Sequence, residues 1–240
     1  AERLLRSLGL RTGVERLKAL IPDASRAQLR RLAERLRHRD LKRSRIRVLE
    51  LKWHRARRVW AIDFTDAPAP IAGVFPYVLH VRDLGSQRPL ACVPATRKTS
   101  AFVRRALADL FQKYGAPLVL KSDNGSEFKG VVVGLLAEWG VRALKNPGRT
   151  PRYNGSTEAS IAWLEAWTLE AAAKEGAADR WSSMAVESAR LLAERTMRRR
   201  GSSGPTPLDV WRRERSISRR ERSRFHDAAD RRGVERALSD

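Results

Sequence analysis

The stretch PLVLKSDNGSEF, residues 117–128, decides the fold. Its first half, PLVL, is apolar without alternation, the pattern of a strand buried on both faces between helices. Its second half changes abruptly to SDNG, where Asp123, Asn124 and Gly125 are turn-forming types. A buried strand that ends on an acid is the signature of an α/β sheet, and in such sheets sites gather at the carboxyl ends of strands.

Working upstream, the helical pattern TSAFVRRALADLFQKYG (99–115) places Phe102, Ala106, Leu107 and Leu110 on one face and Gly115 at its stop. Before it come VWAIDFT (59–65), VFPYVLHVRDL (74–84) and RPLACVPAT (88–96), read as three consecutive strands of a meander. Downstream, a helix over about 126–139 and a short strand VRAL (141–144) follow. KNPGRTPRYNG (145–155) is a loop, and helices are expected over roughly 156–175 and 181–199. GSSGPTP reads as a turn, and the tail from Trp211, which alternates Arg with Glu and Asp, as a surface helix. The order predicts a mixed sheet flanked by helices.

Residues 1–58 differ in texture, being basic and helical. GVERLKALI (13–21) is one short helix, with Pro22 and Asp23 as its break. SRAQ (25–28) matches a capping box that starts a second helix. Leu29, Leu32, Ala33 and Leu36 form its apolar stripe, opposite Arg26, Arg30, Arg35 and Arg37. Two short helices joined by a tight turn read as a helix-turn-helix unit that contacts DNA, or equally as a solvated helical pair. The expected organisation is a helical DNA-binding region over 1–36, a basic connector over 37–58, a catalytic core over 59–200 and a C-terminal extension over 201–240.

The 240 residues carry 49 Lys and Arg against 27 Asp and Glu, a net charge of +22. That excess implies a polyanionic partner, and nucleic acid is the first candidate. No apolar run approaches the length of a membrane span, and no signal peptide opens the chain. Cys92 is the single cysteine, which excludes an intrachain disulfide and a cysteine-rich zinc site. An intracellular, reducing compartment is the expectation. His38, His54, His80 and His226 lack metal-ligand spacing.

Three acids stand out in this frame. Asp63 lies within the first strand among apolar residues, Asp123 lies just past the fourth strand, and Glu158 opens the helix after the 145–155 loop. Each has an ordinary explanation: a strand end, a turn, a partner for the positive helix N-terminus. Asp63 resists this explanation, since an ionised side chain among apolar neighbours is costly unless paired. If strands one and four are neighbours, Asp63 and Asp123 come side by side and the loop delivers Glu158. Three converging carboxylates repel one another unless a cation offsets the charge, and hard divalent ions with oxygen ligands, Mg²⁺ or Mn²⁺, suit them.

WAIDFT (60–65), SDNGSEF (122–128) and PRYNGSTEA (151–159), in this order, resemble the integrase catalytic core of bacterial insertion-sequence transposases and retroviral integrases. These are DDE recombinases with a ribonuclease H-like fold, and GPTPLDVW (204–211) resembles the closing segment of that family. The resemblance covers roughly 55–210. It implies that Asp63, Asp123 and Glu158 hold two Mg²⁺ or Mn²⁺ ions and catalyse DNA cleavage and strand transfer. Asn124 and Gly125 would shape the metal loop, and Arg152, Tyr153 and Asn154 would meet a DNA end. It also implies double-stranded DNA as partner, a homo-oligomer, and the bacterial cytoplasm, at the nucleoid when DNA-bound.

Two departures qualify the match. Asp123 and Glu158 have 34 residues between them, one fewer than the commonest family spacing. Seven positions after Glu158, where many relatives carry Lys or Arg, this chain has Glu165, which would repel DNA phosphate. Lys145, Arg149 and Arg152 are the cations placed to compensate. The alternative on these grounds is a catalytically weakened, transposase-derived DNA-binding protein; a ribonuclease or junction nuclease on the same fold is a third reading. Trp163 and Trp167, at i and i+4, are read as packing residues, and Cys92 as a buried strand residue.

Overall fold

The computed structural model describes residues 14–43, 53–145, 155–177, 180–198 and 203–231. The chain divides into two compact units, Ala1–Lys52 and Trp53–Asp240.

In the first unit, α1 spans Val14–Leu20 and α2 spans Arg26–Arg43. The capping box forms as expected: Gln28 N donates to Ser25 Oγ at 3.2 Å, and Ser25 N donates to Gln28 Oε1 at 2.9 Å. Leu17 of α1 packs with Leu29, Ala33 and Leu36 of α2, and Leu32 flanks them. The second helix continues to Arg43, past the point where the basic run reads as connector. Arg, Lys and Leu are strong helix formers, so charge alone does not end a helix.

The second unit is built on a five-stranded sheet in the order β3-β2-β1-β4-β5. β1 (Val59–Ile71), β2 (Phe75–Asp83) and β3 (Pro89–Ala95) form an antiparallel meander. β4 (Val119–Ser122) and β5 (Arg142–Lys145) add in parallel on the other side of β1. The chain crosses from β3 to β4 through α3 (Ser100–Tyr114), which Thr99 caps at one end and Gly115, with φ +79°, at the other. The buried face of α3 is Val103, Leu107, Leu110 and Phe111; Phe102 and Ala106 are only partly buried, a rotation from the expected stripe.

Beyond β4 the expected single helix is two pieces, a 3₁₀ turn Ser126–Phe128 and α4 (Val131–Glu138). Gly130 separates them at φ +57°, in the left-handed region that glycine enters without steric penalty. The remaining helices are α5 (Gly155–Lys174), α6 (Ser183–Thr196), α7 (Pro207–Arg213) and α8 (Arg219–Arg231). The tail is therefore two helices, with Glu214 as the C-cap of α7 and an extended break before α8.

Alternation along the strands sorts the layers. Trp60, Ile62, Leu79, Val81 and Leu120 face α3 and α4 in the largest core. Val78 and Cys92 lie in a second cluster with Leu164 of α5 and Val186 and Ala189 of α6. Val59, Ala61 and Val119 meet Phe225 of α8 in a third. The sheet is thus covered on both faces.

Candidate active site

β1 and β4 run parallel in the register Val59↔Val119, Trp60↔Leu120, Ala61↔Lys121. Two residues further along each chain stand Asp63 and Asp123, at the carboxyl end where β4 stops at Ser122. β5 ends beside them, its Lys145 paired with Ser122. The sheet therefore brings Asp63 and Asp123 side by side, whereas Lys145, in register with Ser122, leaves the sheet on the face opposite Asp63; all three are half-buried.

Local hydrogen bonds orient both carboxylates. Phe64 N donates to Asp63 Oδ1 at 2.9 Å, and Gly125 N donates to Asp123 Oδ1 at 2.9 Å. The second is an Asx-type turn, the reason an acid followed by Asn-Gly leaves the strand sharply. Glu127 folds back onto the same loop: a Cβ at position 125 would meet its carboxylate at 2.6 Å. Glu127 was not singled out by sequence reasoning, although the SEF triplet carried it.

Glu158 lies in the first turn of α5, and its side chain lies outside the described atoms. Two helical turns later Glu165 is described, and Thr65 Oγ1 donates a short hydrogen bond to its Oε1. Thr65 is two residues from Asp63, so both side chains leave β1 on the same side. Residues seven apart share one helix stripe. Glu165, two turns after Glu158, is therefore bonded on the side of β1 that carries Asp63. Glu165 is half-buried and bonded to the sheet through one oxygen.

His80 is the neighbour of Asp63 across the β1–β2 pair and of Cys92 across β2–β3. It is fully buried, and neither ring nitrogen has a hydrogen-bond partner. Burial, assisted by the charge of Arg82, pushes its pKa down to about 3, so the ring is neutral. Burial likewise pushes the Cys92 thiol up, which leaves it inert as a nucleophile.

Among the described residues no three His, Cys, Asp or Glu side chains converge as a metal group. The pair Asp63 and Asp123 supplies hard oxygen donors from two rigid neighbouring strands, the donor chemistry that suits Mg²⁺ or Mn²⁺. Arg149, Arg152, Tyr153 and Asn154 lie outside the described residues. Arg26 bonds Glu15 at 3.0 Å across the helical pair of the first unit, with both side chains largely exposed, and Arg30 is exposed. Trp163 and Trp167 stack on each other at 4.5 Å and pack against the cluster beneath α5.

Residues 54–147 match the family model of the Integrase core domain. Three solved structures share the fold. The HTLV-2 integrase catalytic core domain in complex with magnesium is 15% identical, with a TM-score of 0.52 over 66% of this chain and 98% of that one. The integrase core of BIV is 20% identical, with a TM-score of 0.51 over 65% and 93%. The simian T-cell lymphotropic virus intasome, in complex with PP2A regulatory subunit B56 gamma, is 13% identical, with a TM-score of 0.58 over 89% and 75%. At such identities the likeness is one of fold: the sheet and its helices form the ribonuclease H-like architecture of integrase catalytic cores.

Proposed function

We propose, from an integrase core segment set in a ribonuclease H-like fold, that this protein is a DNA transposase or integrase acting by metal-dependent strand cleavage and strand transfer. The observation that carries the reading is the placement of Asp63 and Asp123 on adjacent parallel strands, two residues past a shared rung. Glu158, at the start of the helix whose Glu165 docks on Thr65, is the third member of the set.

In this reading Asp63, Asp123 and Glu158 hold two Mg²⁺ or Mn²⁺ ions, which would supply activation of the attacking oxygen and charge neutralisation at the leaving oxygen. The chain's own residues do the positioning. The Phe64 and Gly125 amides each fix one oxygen of Asp63 and Asp123, so the carboxylates keep their aim without side-chain reorganisation. His80, buried and neutral, takes no part in proton transfer with substrate.

Two displacements at phosphorus follow. Water attacks a phosphodiester at the element end, the P–O3′ bond breaks, and a 3′-hydroxyl is freed. That hydroxyl attacks a phosphorus of target DNA, breaking its P–O3′ bond and joining the strands. No side chain becomes bonded to DNA. The alternative of a catalytically weakened DNA-binding protein drew its support from Glu165, one oxygen of which accepts a hydrogen bond from Thr65.

The test is strand transfer with a 3′-recessed duplex carrying the element end, in Mg²⁺ or Mn²⁺, compared with Asp123→Asn. Product that needs metal and disappears in the variant supports the reading. Metal-dependent DNA binding without product from the unaltered protein overturns it.

A further inference from the structure

The helix α8 lies outside the matched integrase segment, and most of its exposed charges are basic. Its inward face is locked. Arg222 donates to the carbonyls of Ala116, Pro117 and Gly140 at 2.6–2.8 Å, and Phe225 enters the apolar cluster of Val59, Ala61 and Val119. Glu221 binds Arg58 through two 2.8 Å contacts, and Asp230 binds Arg142. With Glu214 bound to Arg55 and Arg58, these contacts occupy every acid of the segment 212–231 except Asp227.

The outward face is mainly basic, with exposed Asp227 as the acid on it. Arg220, Arg224 and Arg231 are exposed, and none has an ion-pair partner among the described residues. Their spacing of four and then seven residues sets them within about 40° of one another on the helix, in a stripe about 16 Å long. Arg212 and Arg213, in the last turn of α7, are exposed as well. Asp227, three residues after Arg224 and four before Arg231, shares the stripe and leaves it a net charge of +2.

We propose that the outward face of α8 is a phosphate-binding surface for duplex DNA, separate from the carboxylate site. Guanidinium forks match phosphate oxygens, and the stripe is as long as about five base-pair steps at 3.4 Å each. The surface is anchored at the amino-terminal ends of β1 and β4, through Arg58, Ala116 and Pro117, whereas Asp63 lies four residues into β1 and Asp123 just past the end of β4. One phosphate therefore does not touch both. The proposal rests on the function proposed above only in taking DNA as the polyanion, and it does not require catalysis.

The experiment measures binding of the full chain to a 30-base-pair duplex by fluorescence anisotropy across a potassium chloride series. In the variant Arg220→Gln/Arg224→Gln/Arg231→Gln, the slope of log affinity against log salt falls by about 2 to 3, since each lost phosphate contact removes about 0.9. Affinity at moderate salt drops about tenfold or more. The all-lysine variant at the same positions keeps the slope, which separates charge loss from misfolding. A matched variant on α3, Arg104→Gln/Arg105→Gln/Lys113→Gln, retains it too. An equal fall in the α3 variant, no fall in the α8 variant, or binding of anionic vesicles in preference to duplex would each overturn the proposal. Asp123→Asn leaves the slope unchanged. A lowered slope in the α8 variant together with absent strand transfer in the unaltered chain would sustain this surface and overturn the catalytic reading alone.

Discussion

Asp63 and Asp123 each lie two residues beyond the Ala61↔Lys121 rung that joins the parallel strands β1 and β4. Two like charges so placed repel one another, and in the proposed function a divalent cation offsets that repulsion. Asp123→Asn is therefore expected to melt at the same temperature as the unaltered protein, or slightly higher, in chelator. Added Mn²⁺ should raise the melting temperature of the unaltered protein and leave the variant's unchanged, since only a bound ligand stabilises. Strand transfer by the variant should fall about a thousandfold, as expected from losing several kcal/mol of metal-centred stabilisation. A calorimetric scan with and without Mn²⁺ checks the first two statements independently of activity.

Thr65 and Glu165 join β1 to α5 across 100 residues of sequence. Thr65→Val removes the donor while keeping the shape, and should cost about 1.5–3 kcal/mol in urea unfolding, the range for a hydrogen bond to a charged group. Glu165→Gln keeps an acceptor and should behave nearly as the unaltered protein, whereas Glu165→Ala should resemble Thr65→Val. Because the same helix starts with Glu158, both disruptive variants should also lose strand transfer while retaining DNA binding. Full activity in Glu165→Ala would show that this contact does not position the helix.

A buried ion pair ties β3 to α6. Arg88 Nε meets Glu194 Oε2 at 2.7 Å with both side chains almost wholly buried, and the Arg88 guanidinium lies 5.2 Å from the ring of Tyr114 and 5.3 Å from that of Trp211. Glu194→Ala leaves that charge uncompensated and should destabilise by about 3–5 kcal/mol. The pair itself is worth less than its disruption costs, so Arg88→Met/Glu194→Leu should recover much of the loss. Arg190 would keep Glu187 and the Pro89 carbonyl as partners in the double variant. Thermal melts of the single and double variants measure the difference.

What could be read from the sequence was local or periodic. Ser25 with Gln28, Thr99 and Gly115 act within one helical turn, so their types alone located helix ends. The acids Asp63 and Asp123 were legible because strand order places carboxyl ends together. The extension of β1 beyond VWAIDFT to Ile71 was not, since the strand runs through Pro68 and Pro70 and past a register shift between Asp66 and Ile71. The inward face of α3 was rotated because the helix packs on the sheet and on α4 together, which favours Phe111 over Ala106. The orientation of Glu165 and the partners of Arg58 and Arg222 depend on contacts about 100 to 160 residues away in sequence, and no local pattern encodes these.

The buried imidazole of His80 makes stability depend on acidity. In the unfolded chain His80 titrates near 6.5; in the fold, burial and Arg82 depress it to about 3. Between those values the unfolded chain binds a proton that the folded chain refuses, so stability falls as pH falls through that window. The expected contribution is about 1.4 kcal/mol per pH unit within it. Asp83, on the same strand, acts with the opposite sign, because burial raises its carboxyl despite hydrogen bonds from Ser86 and Arg57. Its stabilisation is fully present below its unfolded value and is lost as pH rises through the folded one. Comparing variants at one position separates the two effects. His80→Met should flatten the dependence of melting temperature on pH between 6.5 and 4.5, leaving the part due to Asp83 and the other acids. An unchanged slope would mean that the folded protein admits the proton, and that His80 has a partner within its pocket.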